Sequence, residues 1–246
     1  MTGPPTTPGI EERIARVRQR LADAAEAAGR QPADVRLIAV TKTHPPETAR
    51  AAVAAGVDEL GENRVQELTA KLPLVPGAHW HLIGPLQRNK VKDVVGRAVL
   101  VHTLDRRSLA DALSRRASAE GVVQRVLVQV NVADDPDKHG CRFDEALDLV
   151  AYARDLPHLA VEGLMTIPPL PGEDVDASEA ARPHFAALRD LRDAARARFP
   201  EVVHLSMGMS ADLEAAVAEG ATMIRIGTAL FGPRTSGPWR PQEVGT

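Results

Sequence analysis

The chain has 246 residues, 44% hydrophobic and 26% charged, with a net charge of −3, which lacks the basic excess that draws nucleic acid or anionic membrane. A single cysteine, Cys141, excludes an internal disulfide, and no apolar run approaches the ~20 residues needed to span a bilayer. The opening MTGPPTTPG has neither the basic start nor the apolar core of a signal peptide, so residues 1–9 are expected to be a disordered leader and the protein cytoplasmic.

IEERIARVRQRLADAAEAAG then places Ile10, Ile14, Val17, Leu21 and Ala25 at helical spacing and stops at Gly29, which predicts an amphipathic helix. Short β-type runs follow: VRLIAVT, VDELG, HWHLIG, AVLVHT, VVQRVLVQVN, LAVEGLMT, VVHLSM and TMIRIG. Between them lie the helical patterns PETARAAVAAG, RVQELTAKL, QRNKVKDVVG, DRRSLADALSRRASAEG, FDEALDLVAYARDL, SEAARPHFAALRDLRDAARARF and SADLEAAVAEG. Eight strands separated by seven helices predict an α/β protein with one parallel (β/α)8 TIM-type barrel over residues 10–234; a doubly wound open sheet has the same alternation. IPPLPGEDVDASEAARP, from Ile167, reads as a long loop after the sixth strand rather than a domain boundary, and residues 235–246 read as an irregular tail.

In such a barrel chemistry collects where strands end. Lys42 follows the first strand, GENRVQE the second and GPLQRNK the third, while SMGMS and RIGTALFG close the seventh and eighth. Backbone N–H groups at glycine turns, with nearby hydroxyls, bind phosphate, so Ser206 with Gly208 and Gly227 with Thr228 are candidates, against the plainer reading of turn glycines with Ser210 capping the next helix. A lysine at a strand end is usually a solvated charge. Partly desolvated, it attacks carbonyls and forms a Schiff base. Together these residues suggest a ligand with an aldehyde and a phosphate: either pyridoxal 5′-phosphate or a phosphorylated sugar aldehyde, the latter the substrate of a lysine-dependent aldolase.

The segments AVTK, GENRVQE, HLIGPLQRNK, LSMGMSADLEAA and RIGTALFG, in this order, closely resemble the YggS/PROSC family of pyridoxal phosphate homeostasis proteins over about Ile10 to Arg234. The resemblance implies the barrel of the alanine racemase N-terminal domain, fold type III among pyridoxal phosphate proteins. It implies that Lys42 carries the cofactor as a Schiff base. It further implies that Arg225 sits at the pyridine nitrogen, that Ser206, Gly227 and Thr228 hold the phosphate, and that Asn63 lies beside the ring. A permanently charged arginine only donates to the ring nitrogen, so the ring stays unprotonated and is a weak electron sink.

The expectation is therefore a monomer that buffers or delivers pyridoxal phosphate, with apo-enzymes as recipients and little catalysis of its own. An amino-acid racemase on the same scaffold is the alternative, but it needs a second acid/base, and the one tyrosine, Tyr152, falls within a predicted helix. His79 and His81 share a strand face, which places one of them at the cofactor pocket more readily than a metal between them. DDPDKHGC reads as a turn after the fifth strand, Cys141 as a small rim or buried residue, and RNKVKDVVGR as a solvated basic helix.

Overall fold

The computed structural model describes residues 8–172, 174–232 and 239. The expected leader and tail therefore lie outside the described residues, apart from Pro8, Gly9 and Trp239. Helix α1 (Ile10–Ala27) buries Ile14, Val17, Leu21, Ala24 and Ala25, the predicted stripe with Ala24 added and Ile10 only partly buried. The chain then runs β1 (Arg36–Val40), α2 (Pro46–Ala54), β2 (Glu59–Glu62), α3 (Val65–Lys71) and β3 (His79–Leu82). After a 3-10 segment (Arg88–Asp93) come β4 (Leu100–Leu104), α4 (Arg107–Glu120), β5 (Gln124–Asn131), β6 (Cys141–Arg142) and α5 (Ala146–Arg154). β7 (Leu159–Met165), α6 (Ala177–Arg198), β8 (His204–Ser206), α7 (Leu213–Ala218), β9 (Met223–Ile226) and α8 (Thr228–Phe231) complete it.

All eight predicted strands form, and all their pairings are parallel. β1 joins β9 along Arg36↔Met223 to Ala39↔Ile226, and β4 joins β5, so the sheet closes on itself and the open-sheet alternative is excluded. The two-residue β6 is an unpredicted addition on β5. The connection from β3 to β4 is a 3-10 segment rather than the α-helix expected of QRNKVKDVVG. In Arg88–Asp93 only Val91 is buried, too little apolar surface to hold an α-helical face on the barrel.

Two apolar regions result. The larger fills the space between strands and helices; a smaller one, Ile38, Leu100, Leu127, Met165 and Met223, lies inside the barrel as a single layer. Toward the N-terminal strand ends the interior turns ionic, with Arg36 3.2 Å from Glu59 and Arg125 2.5 Å from Glu162. Gly163 permits the β7–β8 approach, since a Cβ there would stand 2.1 Å from the His204 carbonyl oxygen. No helix among the described residues is long and apolar enough to cross a membrane.

Candidate functional site

At the C-terminal strand ends, β1 and β9 bring Lys42 and Arg225 to one opening. Inward positions on β1 are Arg36, Ile38 and Val40, and Ile38 is level with Arg225. Thr41 points outward, where its hydroxyl donates to Glu62 Oε1 at 2.6 Å. Lys42, partly buried, stands in the turn two residues past the end of β1, the strand paired with the one that carries Arg225.

The backbone around Lys42 is held by a buried ionic cluster behind the strand. Lys71, fully buried, donates to the Thr41 carbonyl at 2.8 Å and to Glu62 Oε1 at 2.6 Å, and lies 3.4 Å from Glu67 Oε2. Glu67 accepts the Thr43 N–H at 2.8 Å, and the Trp239 N–H donates to the Thr43 carbonyl at 3.3 Å. The Trp239 ring covers the Lys71 ammonium at 5.2 Å. Thr43 adopts φ +67°, a strained value for a β-branched residue. Burial pushes the Glu62 carboxyl up to about 7, against the charge and hydrogen bond of Lys71 and the Thr41 hydroxyl.

Arg225 is 4% exposed. It donates to Ser206 Oγ at 2.6 Å and to the Thr166 carbonyl at 2.9 Å, so among the described residues its hydrogen-bond partners are neutral oxygens. Burial lowers the guanidinium to about 10, with Asp212 opposing, and it stays charged at neutral pH.

Ser206, expected at a phosphate, is fully buried with its hydroxyl committed to Arg225 and, at 2.9 Å, to His102. That commitment places it inside the barrel, a layer beneath the turn at Gly227 and Thr228. Ser210 stands at that turn instead: its Oγ accepts the Ala229 N–H at 3.4 Å. Ser210 does not cap α7, whose N-cap is Asp212. Gly227 packs against Val40, Thr228 is exposed, and both open α8.

Asn63, partly buried, follows β2 and lines a cavity of about 620 Å³ together with Arg64, Gln87, Lys90, His139 and Trp239. Gly84 is required beside it, because a Cβ there would fall 2.1 Å from the Asn63 carbonyl oxygen. The loop after β5 is tied to the loop after its neighbour β7 by Lys138, which donates to the Pro168 carbonyl at 2.7 Å.

The two β3 histidines separate. His79 is exposed near the N-terminal end of the strand, whereas His81 is buried inside the barrel against Glu59 and His102, short of the mouth. No group of three metal-ligating side chains occurs among the described residues. Tyr152 lies on α5 and donates to Asp111 at 2.6 Å on the outer face of the barrel. Cys141 is buried, which pushes its thiol up to about 12. Sequence reasoning missed His102, Glu59 and Lys71. The first two carry a legible signal, a polar side chain at an inward position of a strand.

Residues 13–235 match the family described as alanine racemase, N-terminal domain. The pyridoxal phosphate homeostasis protein of Aquifex aeolicus is 44% identical over 91% of this chain and 97% of its own length. The structure of PipY from Synechococcus elongatus PCC7942 with PLP bound superposes with a TM-score of 0.78 at 37% identity, covering 91% of this chain and all of that one. An alanine racemase of Clostridium difficile 630 shares the fold alone, with a TM-score of 0.70 at 16% identity over 89% of this chain and 60% of its own. With the barrel closed and the relatives matched over nearly their whole length, the chain belongs to the family of pyridoxal phosphate homeostasis proteins, built on the alanine racemase N-terminal domain.

Proposed function

We propose that this chain binds pyridoxal 5′-phosphate as a Schiff base through Lys42 and buffers or delivers it in the cytoplasm to apo-enzymes, acting as a monomer through one barrel domain, residues 10–234. Bound, the cofactor supplies an aldehyde for a lysine amine, a ring nitrogen that accepts a hydrogen bond, and a phosphate dianion. The residues fit that group. Lys42 brings the amine, Gly227, Thr228 and Ser210 line a turn suited to the phosphate, and Asn63 stands just past β2, the strand paired with β1. The observation that supports the reading is Arg225, a buried cation whose hydrogen-bond partners among the described residues are neutral oxygens, on the strand paired with the one that Lys42 follows.

That same arginine argues for storage over turnover. It donates to a ring nitrogen and keeps it unprotonated, which weakens carbanion stabilisation. Tyr152, which a racemase would need at the mouth, is hydrogen-bonded to Asp111 on the outside. The similar proteins bear the name of homeostasis proteins, which agrees with this reading.

Purified protein incubated with pyridoxal phosphate should develop a visible absorbance band that borohydride fixes, with the reduced adduct located on Lys42 by peptide mass spectrometry and absent from Lys42→Ala. A colourless protein would overturn the proposal. Alanine or serine held with the loaded protein in heavy water should keep the α-proton, and rapid exchange would overturn storage in favour of racemase-like catalysis.

A further inference from the structure

A continuous line of hydrogen bonds crosses the barrel interior from Glu59, near the N-terminal opening, to Arg225 at the mouth. Glu59 Oε2 is 2.6 Å from His81 Nε2, and His81 Nδ1 is 2.9 Å from His102 Nε2. His102 Nδ1 is 2.9 Å from Ser206 Oγ, which is 2.6 Å from Arg225. His81, His102 and Ser206 are each 0% exposed.

The ends of this line fix its direction. A guanidinium can only donate, and a carboxylate can only accept. Burial holds both imidazoles below their ordinary range, so each ring carries one donor and one acceptor. One assignment then satisfies every contact: Arg225 donates to Ser206, Ser206 to His102 Nδ1, His102 Nε2 to His81 Nδ1, and His81 Nε2 to Glu59. Both histidines are Nε2–H tautomers, and every proton points away from the mouth. Burial works to raise the Glu59 carboxyl, but the hydrogen bond from His81 and the positive charge of Arg36 help bring it below its ordinary range, so it terminates the line as an anion.

We propose that Ser206, His102, His81 and Glu59 are positioning residues for Arg225, forming a one-way relay that ends on a carboxylate and fixes the guanidinium from behind, while Asp212 supplies the nearer opposing charge. Resting on the reading that Arg225 faces the cofactor ring nitrogen, the relay explains how that contact stays a pure donor. The hydroxyl next to Arg225 has its own proton engaged by His102, so it offers none to the ring. An acidic residue paired directly with Arg225 would draw the guanidinium aside; a relay of neutral groups leaves the remaining N–H groups aimed at the mouth.

Two measurements test this separately from cofactor binding. In apo-protein with ¹⁵N-labelled histidine, long-range correlation spectra should show two Nε2–H imidazoles with slowly exchanging protons, identified by their loss in His81→Gln and His102→Gln. An Nδ1–H or doubly protonated form of either ring at neutral pH would overturn the relay, whether or not the cofactor binds. In the loaded protein, Ser206→Ala and His102→Leu should move the midpoint of the absorbance pH titration by about one pH unit, the size of one lost hydrogen bond to a charged group. His102→Gln, whose amide can accept from Ser206 and donate to His81, should restore the midpoint. Unmoved midpoints in folded Ser206→Ala and His102→Leu overturn the proposal, as does a midpoint that His102→Gln fails to restore. Wild-type protein with the predicted tautomers but no absorbance band would overturn the cofactor reading and leave the relay standing.

Discussion

Replacing Lys71 by methionine keeps the unbranched stem and removes the ammonium that two buried carboxylates share. Glu62 and Glu67 are 0% and 3% exposed, so the variant would hold two acids with no cation beside them. Breaking a buried pair from one side costs about 3–5 kcal/mol, and the structure can relieve part of that only by taking up protons. In the wild type the Glu62 carboxyl already titrates at about 7 against an ordinary value of 4.5. Its folded form therefore binds the proton more tightly than the unfolded chain does. The stability that this proton uptake lends is fully present below pH 4.5 and is lost as pH rises through about 7, roughly 3 kcal/mol in all. Without Lys71 the carboxyl moves higher still, so the loss continues above pH 7 at about 1.4 kcal/mol per pH unit where the wild-type curve has flattened. Urea unfolding followed by circular dichroism at pH 5.5, 7 and 8.5 reads this directly, with the two curves diverging at the alkaline end. A Lys71→Met protein that loses less than about 1 kcal/mol at pH 8.5, or that runs parallel to wild type from pH 7 upward, would refute the ionic account of the cluster.

Gly163→Ala should destabilise by about 3 kcal/mol or more in the same unfolding assay, because its Cβ would meet the His204 backbone at 2.1 Å and push β7 from β8; a neutral result would mean that the strands do not approach so closely. Thr43→Gly should raise stability by about 0.5–1 kcal/mol, since relief of the +67° φ at a β-branched residue outweighs the added freedom of the unfolded chain. Cys141 should react with a thiol reagent at pH 8 only after urea is added, given its burial and a thiol pushed up to about 12; rapid labelling of folded protein would contradict it. Tyr152→Phe should destabilise only slightly through the lost Asp111 bond and leave the cofactor absorbance unchanged, and a changed spectrum would bring the phenol back toward the mouth.

The barrel was readable in the sequence because each of its strands buries both faces or alternates, and each helix carries one stripe, as with Ile14, Val17 and Leu21. Lys42 and Arg225 could be picked out as candidates for a related reason: a cation placed in register with inward apolar neighbours is conspicuous in one dimension. The place of Ser206 could not. Both it and Ser210 sit in SMGMS, and only the fold decides which is inward and spent on Arg225 and which stands at the Gly227 turn. The Glu62, Glu67 and Lys71 cluster was hidden likewise, since Glu67 and Lys71 at helical spacing read as a solvated pair until Glu62, β1 and Trp239 close over them. The 3-10 segment at Arg88–Asp93 escaped because two valines after it lent a helical pattern that its own residues do not support.

The pairing of β1 with β9 has a consequence for the life of the protein. The two side chains proposed to hold the cofactor, Lys42 and Arg225, come from opposite ends of the chain, on elements that meet only at the seam where the first strand joins the last. On that proposal a polypeptide still emerging from the ribosome owns the amine without the pocket, and does not retain the cofactor until its final strand is in place. Loading is by this geometry a readout of completed folding. Ligand that bridges the seam should in turn hold the first and last strands together, so the filled form resists opening at the joint where the empty one would part first.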